Sequence, residues 1–266
     1  MNEGITSALR AAGCVFAEDE ATLLIEAAGS TDDLAALVAR RVAGEPLEHV
    51  IGWAEFCGLR VGVDPGVFVP RRRTAFLARQ AAAFLAGRSA PPGRPGAVVV
   101  DLCCGSGAVA AAIAHLAPGV ELHAADIDPA AVRCARRNLP TGRVYEGDLF
   151  RPLPTGLRAR VDVLVANAPY VPSGAIGLMP PEARLHEPIV ALDGGADGLD
   201  VLRRVIAAAP AWLAPGGCVL VETGERQAPA LVADATAAGL YPAVVTGAEA
   251  DATVVAATVT APAPPA

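Results

Sequence analysis

The sequence predicts an α/β protein: a doubly wound, mostly parallel sheet of seven strands, preceded by a small helical unit and a β-hairpin connector. Three observations carry this expectation. From Ala97 onward, apolar runs of strand length alternate with stretches of helical periodicity, the pattern of a sheet covered by helices. The first of these runs is apolar along its whole length, as a strand buried on both faces must be. Residues 5–44 instead repeat apolar positions every three or four residues and carry no strand signal.

In chain order, residues 1–45 form the helical unit. Ile5, Leu9 and Ala12, then Leu23, Leu24 and Ala27, then Leu34, Leu37 and Val38 share helix faces, and Ser30-Thr31-Asp32 is placed to cap the last helix. Between residues 46 and 70, alternation of Phe56, Leu59, Val61 and Val63, followed by Val67 and Val69, reads as a hairpin turning at Asp64-Pro65-Gly66. Residues 71–260 form the main domain, opened by a helix from Thr74 to Ala86 and followed by a Pro- and Gly-rich loop over Ser89–Gly96. Strands are expected at 97–102, 120–126, 143–148, 161–167, 216–222, 241–246 and 252–259. Helices are expected at Ala108–Leu116, Pro129–Asn138 and Ala228–Ala238, and 261–266 is read as a disordered tail.

Composition narrows the function. The net charge is -7 and every basic residue is arginine, a balance opposed to the dense basic surface that sequence-independent phosphate binding needs. No direct nucleic-acid binding is expected. The N-terminus shows no targeting pattern, and the apolar stretch Val205–Val221 is broken by Pro210, Pro215, Gly216 and Gly217, so a cytoplasmic protein without membrane spans is expected. The six cysteines include no CxxC pair and the four histidines are scattered, so no metal site is expected.

The chemistry-bearing residues fall at strand ends. Asp101-Leu102-Cys103-Cys104-Gly105-Ser106-Gly107 joins the first strand to a helix, where backbone N–H groups and a positive helix end can meet a ligand and Gly105 and Gly107 allow tight turning and close approach. Its spacing departs from the dinucleotide fingerprint. Asp126 ends the second strand, followed by Ile127, in position to accept ribose hydroxyls, while Asp128 serves as the cap of the next helix. Asp148 and the backbone of Leu149 follow the third strand and suit an adenine. Asn167, Ala168, Pro169 and Tyr170 end the fourth. A planar nitrogen needs orientation and desolvation more than a strong base, and the Asn167 side-chain carbonyl with the carbonyl of residue 168 could accept its two N–H groups. Pro169 would stiffen that turn and Tyr170 offer a stacking face.

The chain resembles the HemK/PrmC group of protein-(glutamine-N5) methyltransferases. The resemblance runs through GEPLEHVIGWAEFCGLRVGVDPGVFVPR, DLCCGSGAVAAAIA, ADIDPAAV, GDLF, NAPYVP, HEPIVALDGGADGLDVLRRVI and LAPGGCVLVETGERQ. It implies a Rossmann-like methyltransferase sheet, S-adenosylmethionine as methyl donor with S-adenosylhomocysteine as product, and the glutamine of the Gly-Gly-Gln loop of a peptide-chain release factor as acceptor. Residues 103–107, Asp126 and Leu149 would then contact cofactor, Asn167 to Tyr170 would hold the glutamine, and residues 1–45 would serve substrate recognition. Three departures mark this chain: Asn-Ala-Pro-Tyr for Asn-Pro-Pro-Tyr, Cys103 and Cys104 for small residues, and PRRRTA (Pro70–Ala75) for Pro-Arg-Pro-Glu-Thr-Glu. They leave open a ribosomal protein or a small amide or amine metabolite as acceptor, or a cofactor-binding interaction protein without catalysis.

Overall fold

A computed structural model describes residues 2–87 and 96–259. The expected tail, and all but Gly96 of the expected Pro-rich loop, lie outside the described residues. Helices α1 (Asn2–Ala11), α2 (Ala17–Ala27) and α3 (Thr31–Val42) pack around Leu9, Ala21, Leu24 and Leu34, joined by Val50 of the short helix α4 (Leu47–Ile51). Ser30 caps α3 by accepting the Asp33 N–H at 3.2 Å.

The hairpin differs from the expectation. It consists of β1 (Trp53–Phe56) and β2 (Leu59–Gly62), antiparallel and turning at Cys57-Gly58, whose φ angles are 52° and 77°. Two consecutive positive φ values twist a two-residue turn to match its strands. Asp64-Pro65-Gly66 does turn, but Val67 and Val69 beyond it join no ladder; they are buried, with the Val67 carbonyl bonded to the His49 ring nitrogen at 2.7 Å.

The main domain follows as α5 (Ala75–Ala86), β3 (Val98–Leu102), α6 (Ala108–Leu116), β4 (Glu121–Asp126), α7 (Pro129–Asn138), β5 (Arg143–Glu146), β6 (Val161–Ala166), α8 (Pro181–His186), α9 (Asp200–Ala208), β7 (Leu213–Thr223), α10 (Ala228–Ala237), β8 (Tyr241–Gly247) and β9 (Ala252–Thr258). Helices α8 and α9 fall where the sequence reading assigns no element. The seven strands are ordered β5-β4-β3-β6-β7-β9-β8; the first five are parallel, and β9 runs antiparallel between β7 and β8. Every residue of β3 and β6 is buried. Helices α5, α6 and α7 contribute to the core on one face, α9 and α10 to the core on the other. The chain leaves β3 toward β4 and β5, then returns to place β6 on β3's other side, so β3 and β6 flank the point where strand order reverses. Ligands of such sheets sit at that point, outside the strands' C-terminal ends.

One ion pair ties the helical unit to the main domain. Arg41 of α3 donates through Nε and Nη2 to the two Glu20 oxygens at 2.6 and 3.2 Å, and through Nη1 to the Glu45 carbonyl at 2.9 Å and to Glu182 of α8 at 3.5 Å. Arg41 and Glu20 are both buried, so losing one leaves the other uncompensated. Arg41→Ala should therefore lower unfolding free energy by about 3 kcal/mol, measured by urea denaturation against the parent.

Candidate active site

The loop after β3 turns left-handed three times, at Cys103, Gly105 and Gly107, with φ of 55°, 54° and 80°. The two glycines serve different ends. A Cβ on Gly105 would meet nothing within 4 Å, so its backbone borders open space in the cavity described below. One on Gly107 would lie 3.0 Å from Leu139 Cδ1 and 3.2 Å from Ala135 Cβ, so glycine there lets α6 start against α7. Cys103 takes the left-handed conformation without being glycine, which costs roughly 1 kcal/mol. Burial pushes the Cys103 and Cys104 thiols well above their usual range, helped by nearby Asp126 and Asp101, and keeps both as protonated, unreactive groups.

Asp101 is 1% exposed, and its Oδ2 accepts the Ala110 N–H at 3.1 Å. Burial raises its carboxyl from 3.8 to about 8, with the Asp126 charge adding to the shift against the Ala110 hydrogen bond. Asp126, at the tip of β4, accepts the Gly105 N–H through Oδ2 at 2.8 Å and the Asp128 N–H through Oδ1 at 2.9 Å. Burial raises its carboxyl too. Asp128 caps α7 by accepting the Ala130 N–H at 2.8 Å, so cap and strand-tip carboxylate are separate residues. Asp148, just past β5, is held by Arg204 of α9 at 2.6 Å.

These residues line one cavity of about 400 Å³, within the range of small-molecule sites. Asp101, Cys103, Cys104, Gly105, Ser106, Asp126, Ile127, Asp148, Leu149, Asn167 and Pro169 all border it; Gly107, Ala168 and Tyr170 do not. Further wall groups come from segments whose role the sequence reading does not foresee: Phe68 and Pro70 before α5, and Pro188–Ala191 after α8. Glu187 staples those two walls. Its wholly buried side chain accepts two bonds from Arg71 Nη2, at 2.7 and 2.6 Å, and one from the Val69 N–H at 3.2 Å.

Asn167, just beyond β6, donates its Nδ2 to Thr74 Oγ1 at 3.3 Å. Its Oδ1 and the Ala168 carbonyl accept no hydrogen bond among the described residues. The turn is held from behind by the glycine-rich segment before α9: a Cβ on Gly194 would lie 2.7 Å from the Pro169 carbonyl, and one on Gly198 would overlap the Tyr170 carbonyl. Gln227 Nε2 bonds that Tyr170 carbonyl and the Asp197 carbonyl, each at 2.9 Å. The Tyr170 hydroxyl donates to Glu222 Oε1 at 3.1 Å and accepts from Arg73 Nη2 at 2.7 Å, so its ring lines a neighbouring cavity. Burial and the Glu222 charge push this phenol up to about 12, keeping it a donor at neutral pH.

Comparison with known proteins fits this arrangement. The methyltransferase small domain family matches residues 64–179. The release factor glutamine methyltransferase of Gloeobacter violaceus is 40% identical over 208 residues, 76% of this chain and 70% of its own. The chain belongs to the release factor glutamine methyltransferase family. The Geobacter sulfurreducens member is 41% identical over 196 residues, 72% of this chain and 65% of its own. The match therefore spans 65% to 70% of these relatives' lengths. A 4-amino-L-phenylalanine/4-methylamino-L-phenylalanine methyltransferase of Streptomyces pristinaespiralis is 39% identical over 197 residues, 71% of this chain and 65% of its own. A solved methyltransferase from Pyrococcus furiosus shares the fold at 16% identity, with a TM-score of 0.54 over 84% of this chain and 97% of that one.

The three departures from the family pattern have distinct surroundings. Ala168 is 2% exposed and packed in the core on the α9 face. Arg72 borders a separate cavity with Glu55 and Arg79, whereas Arg73 turns inward to Tyr170 and Glu222. Ala75 is buried in the core on the α5 face.

Asp101 gives a test by pH. A carboxyl raised on folding binds more protons folded than unfolded, so its contribution makes stability fall as pH climbs from the ordinary value toward about 8. Asp101→Asn removes that penalty. Thermal melts should show the variant gaining on the parent between pH 5 and pH 9; a constant difference would mean the carboxyl is not shifted.

Proposed function

We propose that the chain is an S-adenosylmethionine-dependent N-methyltransferase acting on the side-chain amide of a protein glutamine, that of the Gly-Gly-Gln loop of a peptide-chain release factor. The observation carrying this reading is the pair of unbonded acceptors at the end of β6, Asn167 Oδ1 and the Ala168 carbonyl, beside the carboxylate-lined cavity. Two adjacent carbonyl acceptors suit an NH₂ group, which has two donors to place and a delocalised lone pair to aim.

The cavity suits the cofactor. Asp101, Asp126, Asp128, Asp148 and Asp193 bring five carboxyl groups to it against one lining cation among the described residues, Arg204, a balance that favours a positively charged ligand. Asp126 already accepts two backbone N–H groups, yet a carboxylate offers about four lone-pair sites, leaving two for a ribose diol. The open side of Gly105 admits a ligand against the backbone, Asp101 would meet an ammonium group, and Asp148 with the Leu149 backbone an adenine. Bound S-adenosylmethionine supplies an electrophilic methyl on a sulfonium that departs as a neutral thioether, while the acceptor nitrogen gives one proton to solvent. The chain's own work is to orient and desolvate. Thr74 holds the Asn167 amide nitrogen, leaving its oxygen without a partner among the described residues, the glycine-rich segment and Gln227 brace the turn, and Pro188–Ala191 would shield the acceptor from water. Residues 1–45 would meet the protein substrate; Val15 and Phe16, 83% and 68% exposed at the α1–α2 turn, are the apolar groups they offer.

A second acceptor, a small aromatic amine, is favoured by the likeness to the Streptomyces pristinaespiralis enzyme named for 4-amino-L-phenylalanine and by Arg73 standing where the family pattern has an acid.

Incubation with labelled cofactor and a release factor, followed by peptide mass spectrometry, should place one methyl group on the Gly-Gly-Gln peptide; transfer elsewhere alone would reassign the acceptor. Asn167→Ala should slow transfer by at least about 100-fold, with cofactor affinity by calorimetry near the parent's. Equal turnover would reduce the motif to a turn. Glu187→Gln, by loosening the stapled walls, should weaken cofactor binding about 10-fold while turnover at saturating cofactor stays near the parent's.

A further inference from the structure

We propose that the cavity beyond Tyr170 is a head-group site for a free α-amino acid, with Arg73 as the residue that selects it. The proposal rests on the methyl-transfer reading and takes its small-molecule acceptor. The cavity, of about 410 Å³, lies between the end of β7 and the β8–β9 connection, and Tyr170 forms its inner wall.

Arg73 is the cation of this cavity, and its hydrogen-bonding capacity is only partly used. Nη2 donates to the Tyr170 hydroxyl at 2.7 Å, and Nε reaches Glu222 Oε1 at a long 3.4 Å, an oxygen already taken by that hydroxyl. Nη1 has no partner among the described residues, and the side chain is 47% exposed. Arg71 is committed to Glu187 with two short bonds and Arg204 to Asp148 at 2.6 Å, whereas Arg72 borders a separate cavity. A half-exposed guanidinium with an unused edge, stacked 5.9 Å from an aromatic centroid, is a carboxylate receptor.

The same cavity carries the opposite charge. Glu225 and Asp251, both exposed, stand on its wall with Thr253. Those carboxylates would repel a phosphate or a dicarboxylate but would accept an ammonium group. Of the three anionic side chains lining the cavity, Glu222 is already engaged by Arg73 and the Tyr170 hydroxyl, and the other two face the one cation, Arg73, an arrangement that matches the paired carboxylate and ammonium of an amino acid, which no residue inside a polypeptide retains. Tyr170, which walls this cavity, and Asn167, which borders the other, belong to one braced turn. On this proposal, an amino acid with its head group at Arg73 extends its side chain past Tyr170 toward Asn167.

Calorimetry on the full chain saturated with S-adenosylhomocysteine tests this, comparing 4-amino-L-phenylalanine with 4-ethylaniline, which lacks the head group. The amino acid should bind roughly 10- to 100-fold more tightly, the worth of a charge-assisted hydrogen-bonded pair. Arg73→Gln, which keeps a donor for Tyr170 but not the charge, should bring the two ligands close to parity while leaving S-adenosylhomocysteine affinity unchanged. Asp251→Asn should weaken the amino acid and leave 3-(4-aminophenyl)propanoic acid unaffected. Parity in the parent, an undiminished preference in Arg73→Gln, or binding of a Gly-Gly-Gln peptide without binding of the amino acid would overturn the head-group site. Amino-acid preference persisting in a protein that binds no S-adenosylhomocysteine would support it and refute the methyl-transfer reading instead.

Discussion

Glu187 sits wholly inside the protein, and a carboxylate in that position is tolerable only because Arg71 and the Val69 N–H satisfy it. Three bonds from one side chain fix the segment before α5 against the segment after α8, which share no strand pairing. Phe68 and Pro70 on one side and Pro188–Ala191 on the other become facing walls of the cavity. Burial still pushes the Glu187 carboxyl upward, against the pull of Arg71 and of the Val69 hydrogen bond. Most other wall groups belong to a strand tip or to the helix and loop that follow it, and are placed by the sheet. These two segments are placed by a salt bridge.

The sheet's own contribution is equally specific. Strand order reverses between β3 and β6, so the tips of β3, β4 and β6 bring Asp101, Asp126 and Asn167 around one opening. Two of these are carboxyl groups that burial makes reluctant to ionise. Such a site is destabilising for the free protein and favourable for a cationic occupant, the usual exchange between stability and function at a binding cavity.

Much of this was legible in the sequence, for reasons that differ by element. Buried parallel strands announce themselves as continuous apolar runs, so β3 and β6 and their terminal residues could be read directly. The hairpin turn could not: Asp64-Pro65-Gly66 carries the stronger local signal, and the left-handed Cys57 gives none. Helix α9 has a usable trace, with Leu202, Val205 and Ile206 buried on one face, but the glycines and prolines upstream carry the stronger local signal, and the sequence reading assigns no element there. Arg71 and Glu187 are 116 residues apart, and only the fold brings them together. Gly107 shows the opposite limit: its glycine was visible, but its reason, the approach of Leu139, lies in packing.

Tyr170 sharpens what the Asn-Ala-Pro-Tyr motif does. Its carbonyl is held by Gln227 and its hydroxyl by Glu222 and Arg73, so the residue is tethered at both ends. A side chain fixed in this way has little freedom to close over an acceptor; its ring is a wall set before any ligand arrives, which lowers the entropy lost on binding. The same tethering reaches back to the departure at residue 168. A second proline there would restrict the turn through its ring, yet the close packing of Gly194 and Gly198 against the Pro169 and Tyr170 carbonyls already restrains it from outside. The motif's rigidity is therefore supplied by tertiary contacts where the local sequence gives up one fixed φ, and Ala168 retains the one feature the proposed clamp would require of that position, a carbonyl with no partner among the described residues.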